Sequence, residues 1–243
     1  MSIFYDISGV VLDVASLILP RACLVCGKAL PEGEEEICLA CQYSMPLVDF
    51  SDMEVNPIKR LFENNLSIEA ATAMYWFTSD TGWRDLIHRF KYAGRWYFAR
   101  KMGELLGRKL QDSGDFEDVD LIVAIPLHYR RRLARGYNQS EQLALGIGHQ
   151  IGVKCDFGSV RRSHYNKSQT SKRRSERWEN VAEIFEVRRA DRLRGHHILL
   201  VDDVLTTGAT ISSCAKAILE ACEGDVRISV ATLSVTRRVQ EYR

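Results

Sequence analysis

Residues 198–210 carry the densest chemistry in the chain: Ile-Leu-Leu-Val-Asp-Asp-Val-Leu-Thr-Thr-Gly-Ala-Thr. The apolar run Ile198 to Val201 has the character of a buried strand. It ends in two adjacent carboxylates, Asp202 and Asp203. Thr206, Thr207, Gly208, Ala209 and Thr210 form a hydroxyl-rich turn, and a helical pattern follows from Ile211 to about Cys222. This order builds an anion site. Amide N–H groups at a turn and a helix N-terminus point outward, and the helix dipole favours negative charge. Gly208 lets the backbone approach a phosphate, and the threonine hydroxyls add donors. The aspartates fall at the carboxyl end of a strand, where open α/β sheets bind ligands. They suit ribose hydroxyls and a hydrated Mg²⁺. The competing reading is a βα turn with an acidic N-cap and no ligand.

The segment resembles the phosphoribosyl pyrophosphate (PRPP) motif of type I phosphoribosyltransferases. That resemblance implies that Asp202 and Asp203 bind the ribose hydroxyls and that residues 206–210 wrap the 5′-phosphate.

A second basic loop follows the strand candidate Leu121–Ile125: Pro-Leu-His-Tyr-Arg-Arg-Arg-Leu-Ala-Arg-Gly-Tyr-Asn-Gln, residues 126–139. Arginine forks bind phosphate oxygens bidentately. If strands 121–125 and 198–201 are neighbours, this loop faces the aspartates across a cleft and holds a pyrophosphate. Leu127, His128, Arg130, Arg131 and Arg135 are its candidates. The alternatives are a solvated basic loop and, for His128, a hydrogen-bonded loop residue.

The third basic stretch, residues 161–181, contains Arg161, Arg162, Lys167, Lys172, Arg173, Arg174 and Arg177. Long polar loops inside compact domains are usually functional or disordered. A mobile cationic loop here would close over a pyrophosphate and exclude water, with Lys167, Gln169 and Arg173 as candidates. Its charge, with Tyr165 and Trp178, also suits single-stranded nucleic acid. A plain solvated loop is the third reading. Lys91 is a further site candidate, and otherwise a surface or interface lysine.

Cys23, Cys26, Cys38 and Cys41 form two Cys-x2-Cys knuckles. Two knuckles complete a tetrahedral all-sulfur site, which suits a closed, structural Zn²⁺. Gly27 sits where a knuckle often needs positive φ. Rubredoxin-like iron, two disulfides and a redox pair are the alternatives. Cys155, Cys214 and Cys222 lack such spacing. Cys214 and Cys222 share one face of the helix after the threonine turn and read as core residues.

The elements that must position these groups alternate. Ala70–Phe77, Leu121–Ile125, Ile198–Val201 and Val226–Val235 read as strands. Gly82–Phe90, Ala99–Leu110, Ser140–Ile151 and Ile211–Cys222 read as helices. Such alternation predicts α/β architecture with a mainly parallel sheet covered on both faces. A connector from about Tyr43 to Leu66, with Pro46 and Pro57, reads as the boundary between a cysteine module in 1–45 and a main domain over 67–243. Trp96, Tyr97 and Phe98 fit either core or interface.

The 243 residues are 46% hydrophobic with a formal net charge of +1, which fits a soluble enzyme and gives no global field toward nucleic acid or membrane. No apolar stretch is long enough to span a bilayer. Apolar residues recur at helical spacing from Ile3 to Ile18, interrupted by Asp6 and Asp13 with no basic start. An amphipathic helix, not an export signal, is expected there, and the protein is expected in the cytoplasm. Membrane-surface binding is the lesser alternative.

Several segments together resemble the ComF family of phosphoribosyltransferase-like proteins, which includes competence and GntX-like proteins. They are Pro20-Arg-Ala-Cys23, Leu86–Gly94, Arg135-Gly-Tyr-Asn-Gln139, Ser168-Gln169 through Arg177-x-x-Asn180-Val181, and the PRPP motif. The resemblance covers almost the whole chain. Asn166 stands where many members have threonine. The resemblance implies a type I phosphoribosyltransferase fold with an N-terminal zinc-ribbon-like module. It also implies Mg²⁺-dependent transfer of ribose 5-phosphate from PRPP to an unidentified base or amine, and pyrophosphate release. In some bacteria it implies a role in DNA uptake. A nonenzymatic PRPP- or nucleotide-sensing protein, or a single-stranded-DNA-binding protein working with competence proteins, is the alternative. In the enzyme reading, Asp202 and Asp203 stabilise the cation-like reacting carbon, or Asp203 acts mainly as a metal or hydroxyl ligand.

Overall fold

A computed structural model describes residues 22–34, 36–51, 53, 55–63, 66–77, 82–83, 86, 96–163 and 184–241. The amphipathic pattern over 3–18, most of the helix expected over Gly82–Phe90, and Lys91, Lys167, Gln169 and Arg173 lie outside these residues.

A five-stranded sheet organises the molecule, in the order β1-β7-β6-β2-β3. Its strands are β1 (Ala71–Phe77), β2 (Leu121–Ala124), β3 (Lys154–Asp156), β6 (His197–Leu205) and β7 (Arg227–Thr236). Every pairing in it is parallel. Parallel sheets are buried on both faces, and Ile198 to Val201 are fully buried. On one face pack α3 (Trp96–Ser113) and α5 (Gln139–Ile151), through Phe98, Met102, Leu106, Leu143 and Ile147. On the other packs α6 (Ala209–Ala221), through Ile211, Cys214, Ala215 and Ile218. Cys214 and Cys222 are fully buried, as expected of core residues. Of the aromatic triplet, Phe98 is buried whereas Trp96 and Tyr97 are about half exposed.

α3 and α5 approach closely because two glycines face each other. A Cβ on Gly103 would meet Leu143 O at 2.2 Å, and one on Gly146 would meet Arg100 O at 2.0 Å.

The connector from 43 to 66 is not an open linker. Val48 N donates to Met74 O at 3.0 Å and Trp76 N donates to Pro46 O at 2.8 Å, so residues 46–48 cover the free edge of β1. Lys109 Nζ donates to Val48 O and Ala73 O across this junction. Asn56 then caps α2 (Pro57–Phe62), accepting from Ile58 N at 2.9 Å, and Ile58 and Phe62 are fully buried.

The four-cysteine segment packs on the α3 side of the sheet: Cys23, Leu24, Val25, Ile37 and Cys41 share the cluster of Tyr75 and Phe98. A short helix, α1 (Leu39–Tyr43), begins after Cys38. At the amino edge of the sheet, buried His197 bridges Asp118 Oδ1 and Ser229 Oγ, each at 2.8 Å.

Two boundaries differ from the sequence reading. β6 continues through both aspartates to Leu205, because long β7 supplies partners past the end of β2. Arg161 and Arg162, expected in a loop, belong to β4 (Val160–Arg162), which pairs antiparallel with β5 (Phe185–Val187).

Candidate active site

β2 and β6 are parallel neighbours, with Leu121 to Ala124 facing Ile198 to Val201. From β2 the chain goes outward to β3, and from β6 it goes the other way to β7. This is the switch point at which open α/β sheets form a crevice at the carboxyl ends of their strands. A cleft of about 450 Å³ lies there.

Asp202 and Asp203 line it. β2 stops at Ala124 while β6 runs on, so both aspartates project beyond their neighbour on that side. Ser140 Oγ donates to Asp202 Oδ1 at 3.0 Å, and Asp203 N donates to the same oxygen at 2.9 Å. Ser234 Oγ donates to Asp203 O at 3.3 Å. Burial, with Asp203 adding to it, pushes the Tyr75 phenol up and keeps it neutral.

Thr206 and Thr210 line the same cleft. Thr206 and Thr207 are exposed, and Ala209 opens α6. Gly208 is the N-cap at φ 73°, in the left-handed region, and lends no side-chain acceptor to the helix. A Cβ there would lie 2.9 Å from Leu61 Cδ2 and Phe62 Cε1. Glycine at this position therefore serves the turn and the seating of α2. The first-turn amides of α6 are left available for an anion.

The loop after β2 is half helical. His128 Nδ1 accepts from Arg130 N at 3.3 Å and caps α4 (Tyr129–Arg135). Burial, then Arg130, Arg162, Arg131 and Arg161, lower the His128 pKa and keep the ring neutral. Gly136 ends α4 with φ 83°. Asn138 closes the loop: its Nδ2 donates to Ile125 O at 3.1 Å and its Oδ1 accepts from Ser140 N at 3.2 Å. Leu127, Arg131 and Arg135 line the cleft. Arg131 and Arg135 share a helix face by their four-residue spacing. Arg135 donates to Gln139 Oε1 at 3.1 Å. Arg130 lies over the Tyr129 ring, and Arg132 pairs with Glu141 at 3.1 Å.

Three polar lining residues escaped sequence reasoning as site groups. Ser140 read as the start of a helix, Gln139 as the last residue of the basic loop, and Arg162 as one cation among several in a polar stretch. Arg162 ends a three-residue strand, too short for alternation to reveal.

The matching of known families bears on this crevice directly. The phosphoribosyl transferase domain matches residues 99–242. The chain belongs to the phosphoribosyl transferase domain family. Its all-parallel sheet flanked by helices is the type I phosphoribosyltransferase fold. The chain is 30% identical over 137 residues to DNA utilization protein YhgH of Salmonella typhimurium, covering 55% of this chain and 60% of that protein. It is 27% identical over 135 residues to competence protein F of Haemophilus influenzae, covering 54% and 59%. With competence protein ComFC of Streptococcus pneumoniae it shares 28% over 151 residues, covering 62% and 63%. The chain thus spans about three-fifths of the length of these relatives. An adenine phosphoribosyltransferase structure overlays at a TM-score of 0.37 and 16% identity, covering 56% of this chain and 70% of that one.

Away from the cleft, the thiols of Cys23, Cys26, Cys38 and Cys41 all lie within 4.8 Å of one another. Gly27 turns the first knuckle at φ 76°, and Gly27 N donates to Cys23 O at 2.9 Å. Cys38 N donates to Cys23 Sγ at 3.4 Å. Cys26 Sγ and Cys38 Sγ are 3.8 Å apart, and none of the four cysteines is joined in a disulfide. Tetrahedral metal–sulfur bonds of ~2.3 Å separate the sulfurs by roughly 3.8 Å. The donor set fits a metal ion such as zinc. No helix among the described residues is long and apolar enough to cross a membrane.

Proposed function

We propose that the chain is a Mg²⁺-dependent phosphoribosyltransferase of the ComF type, transferring ribose 5-phosphate from PRPP to a nitrogen acceptor. The observation that carries this reading is the meeting of an acid pair, a helix N-terminus and three arginines in one cleft. In this reading the 5′-phosphate rests on residues 206–210. Asp202 and Asp203 hold the ribose hydroxyls. They are also the residues that would hold Mg²⁺, which supplies charge neutralisation at the diphosphate. Arg131 and Arg135 orient and stabilise the departing diphosphate. The bond from C1 to the diphosphate oxygen breaks, with its electron pair leaving on pyrophosphate. The acceptor nitrogen bonds to C1 and sheds its proton to water. The carboxylates oppose the positive charge that develops at C1.

Leu127, His128 and Arg130 belong to the same proposed subsite, His128 by capping the helix that carries the arginines. Lys91, Lys167, Gln169 and Arg173 join the proposal on sequence grounds alone. The cysteine segment within 1–45 is proposed as a structural zinc module beside a transferase domain over 67–243, acting in the cytoplasm.

The relatives named for DNA utilization and competence support a second reading. In it the cleft senses PRPP or a nucleotide without turnover, and the protein serves DNA uptake through single-stranded DNA or competence proteins. Calorimetric titration of PRPP with Mg²⁺ into wild type and an Asp202→Asn, Asp203→Asn variant tests both readings. Magnesium-dependent binding that the variant loses is the expected result. Pyrophosphate release in an acceptor screen then favours the enzyme. Its absence, with DNA bound, favours the sensor. No binding by folded wild type would overturn both.

A further inference from the structure

Arg162 stands out among the cations of the cleft. It enters from the β4–β5 hairpin, some thirty residues beyond the loop that carries Arg131 and Arg135. Its guanidinium lies over the Phe185 ring at 5.5 Å. Among the described residues it makes no ion pair. Burial lowers its pKa, Arg131 lowers it further, and Asp202 works in the opposite direction. The fold therefore brings two like charges together from separate elements, in a partly desolvated place. Asp202 offsets part of that repulsion, and a bound anion would offset more. Phe185 fixes the planar group, so little side-chain freedom is left to lose on binding.

We infer that Arg162 is a direct ligand of the diphosphate of PRPP, joining Arg131 at the anion subsite from a separate element. The inference rests on the reading of this cleft as a PRPP site and adds a binding residue from another part of the chain. A diphosphate has oxygens enough for two guanidinium forks, whereas the 5′-phosphate is already served by amides and hydroxyls at residues 206–210.

The test compares Mg²⁺-loaded inorganic pyrophosphate with ribose 5-phosphate as calorimetric probes. Arg162→Met keeps an apolar stem against Phe185, and Arg162→Lys keeps the charge without the fork. Both are checked for wild-type melting behaviour. Arg162→Met is expected to weaken pyrophosphate and PRPP roughly 10- to 100-fold. Ribose 5-phosphate should stay within about 2-fold, with Arg162→Lys intermediate. Equal loss of both probes, or loss of neither, while wild type binds PRPP would overturn the inference and leave the cleft reading intact. Absence of magnesium-dependent PRPP binding by folded wild type would overturn the cleft reading and the inference with it.

Discussion

At the residue scale the cleft works by one side chain holding another. Ser140 opens α5 and gives its hydroxyl hydrogen to Asp202. Asn138 places that serine, capping α5 through Ser140 N while its amide ties back to Ile125 O. Asp202 therefore faces the cleft in a fixed rotamer. Ser140→Ala should weaken PRPP binding roughly 3- to 10-fold, the worth of one ordinary hydrogen bond, with little change in melting temperature. Calorimetry reads the affinity. An unchanged value would make Ser140 a packing residue only. The segment Arg135-Gly-Tyr-Asn-Gln139 explains itself at this scale. The glycine ends one helix, the asparagine starts the next, and the glutamine steadies the arginine.

At the element scale the spacing of the site depends on how α3 and α5 pack. α5 carries Gln139 and Ser140 into the cleft, and its depth against the sheet is set by Gly103 and Gly146. The atom opposing Gly146 is backbone, Arg100 O at 2.0 Å from a built Cβ, and cannot swing away. Gly146→Ala should therefore destabilise the protein by about 1–3 kcal/mol in urea denaturation. Gly158→Ala, where nothing lies within 4 Å of the new carbon, should change stability by less than about 0.5 kcal/mol. Equal effects would mean the helices can separate freely. The β6–β7 pair shows the same dependence on partners. Asp202 faces Thr232 and Val204 faces Ser234, so β7 keeps the acid pair extended after β2 has ended.

At the scale of the whole molecule, the four-cysteine segment is built into the core rather than tethered beside it. Cys23 and Cys41 are buried in the cluster that also holds Tyr75 and Phe98. Metal held there would brace this side of the sheet from outside the cleft. Chelation of the 243-residue protein should lower its melting temperature by several degrees, as should Cys38→Ser. Elemental analysis is expected to give zinc in the wild type and its loss in the variant. Iron at equal stoichiometry would replace the zinc assignment, and unchanged melting after metal removal would refute the bracing role.

The sequence alone determined the chemistry of the local motifs. Adjacent aspartates before a threonine-glycine turn, and paired cysteines two residues apart, act through neighbours along the chain, so spacing makes them visible. It determined the alternating elements too, because buried runs and helical periods are local. Tertiary structure decided what depends on distant partners. β4 has three residues, and its strand character comes from pairing with β5 across twenty-odd positions. Residues 46–48 read as linker and became an edge cover, because Met74 and Trp76 offered a free strand edge. Arg162 read as one charge among many until the hairpin set it beside Arg131. The crevice itself arose where β2 and β6 met as neighbours, 77 residues apart along the chain as Leu121 faces Ile198.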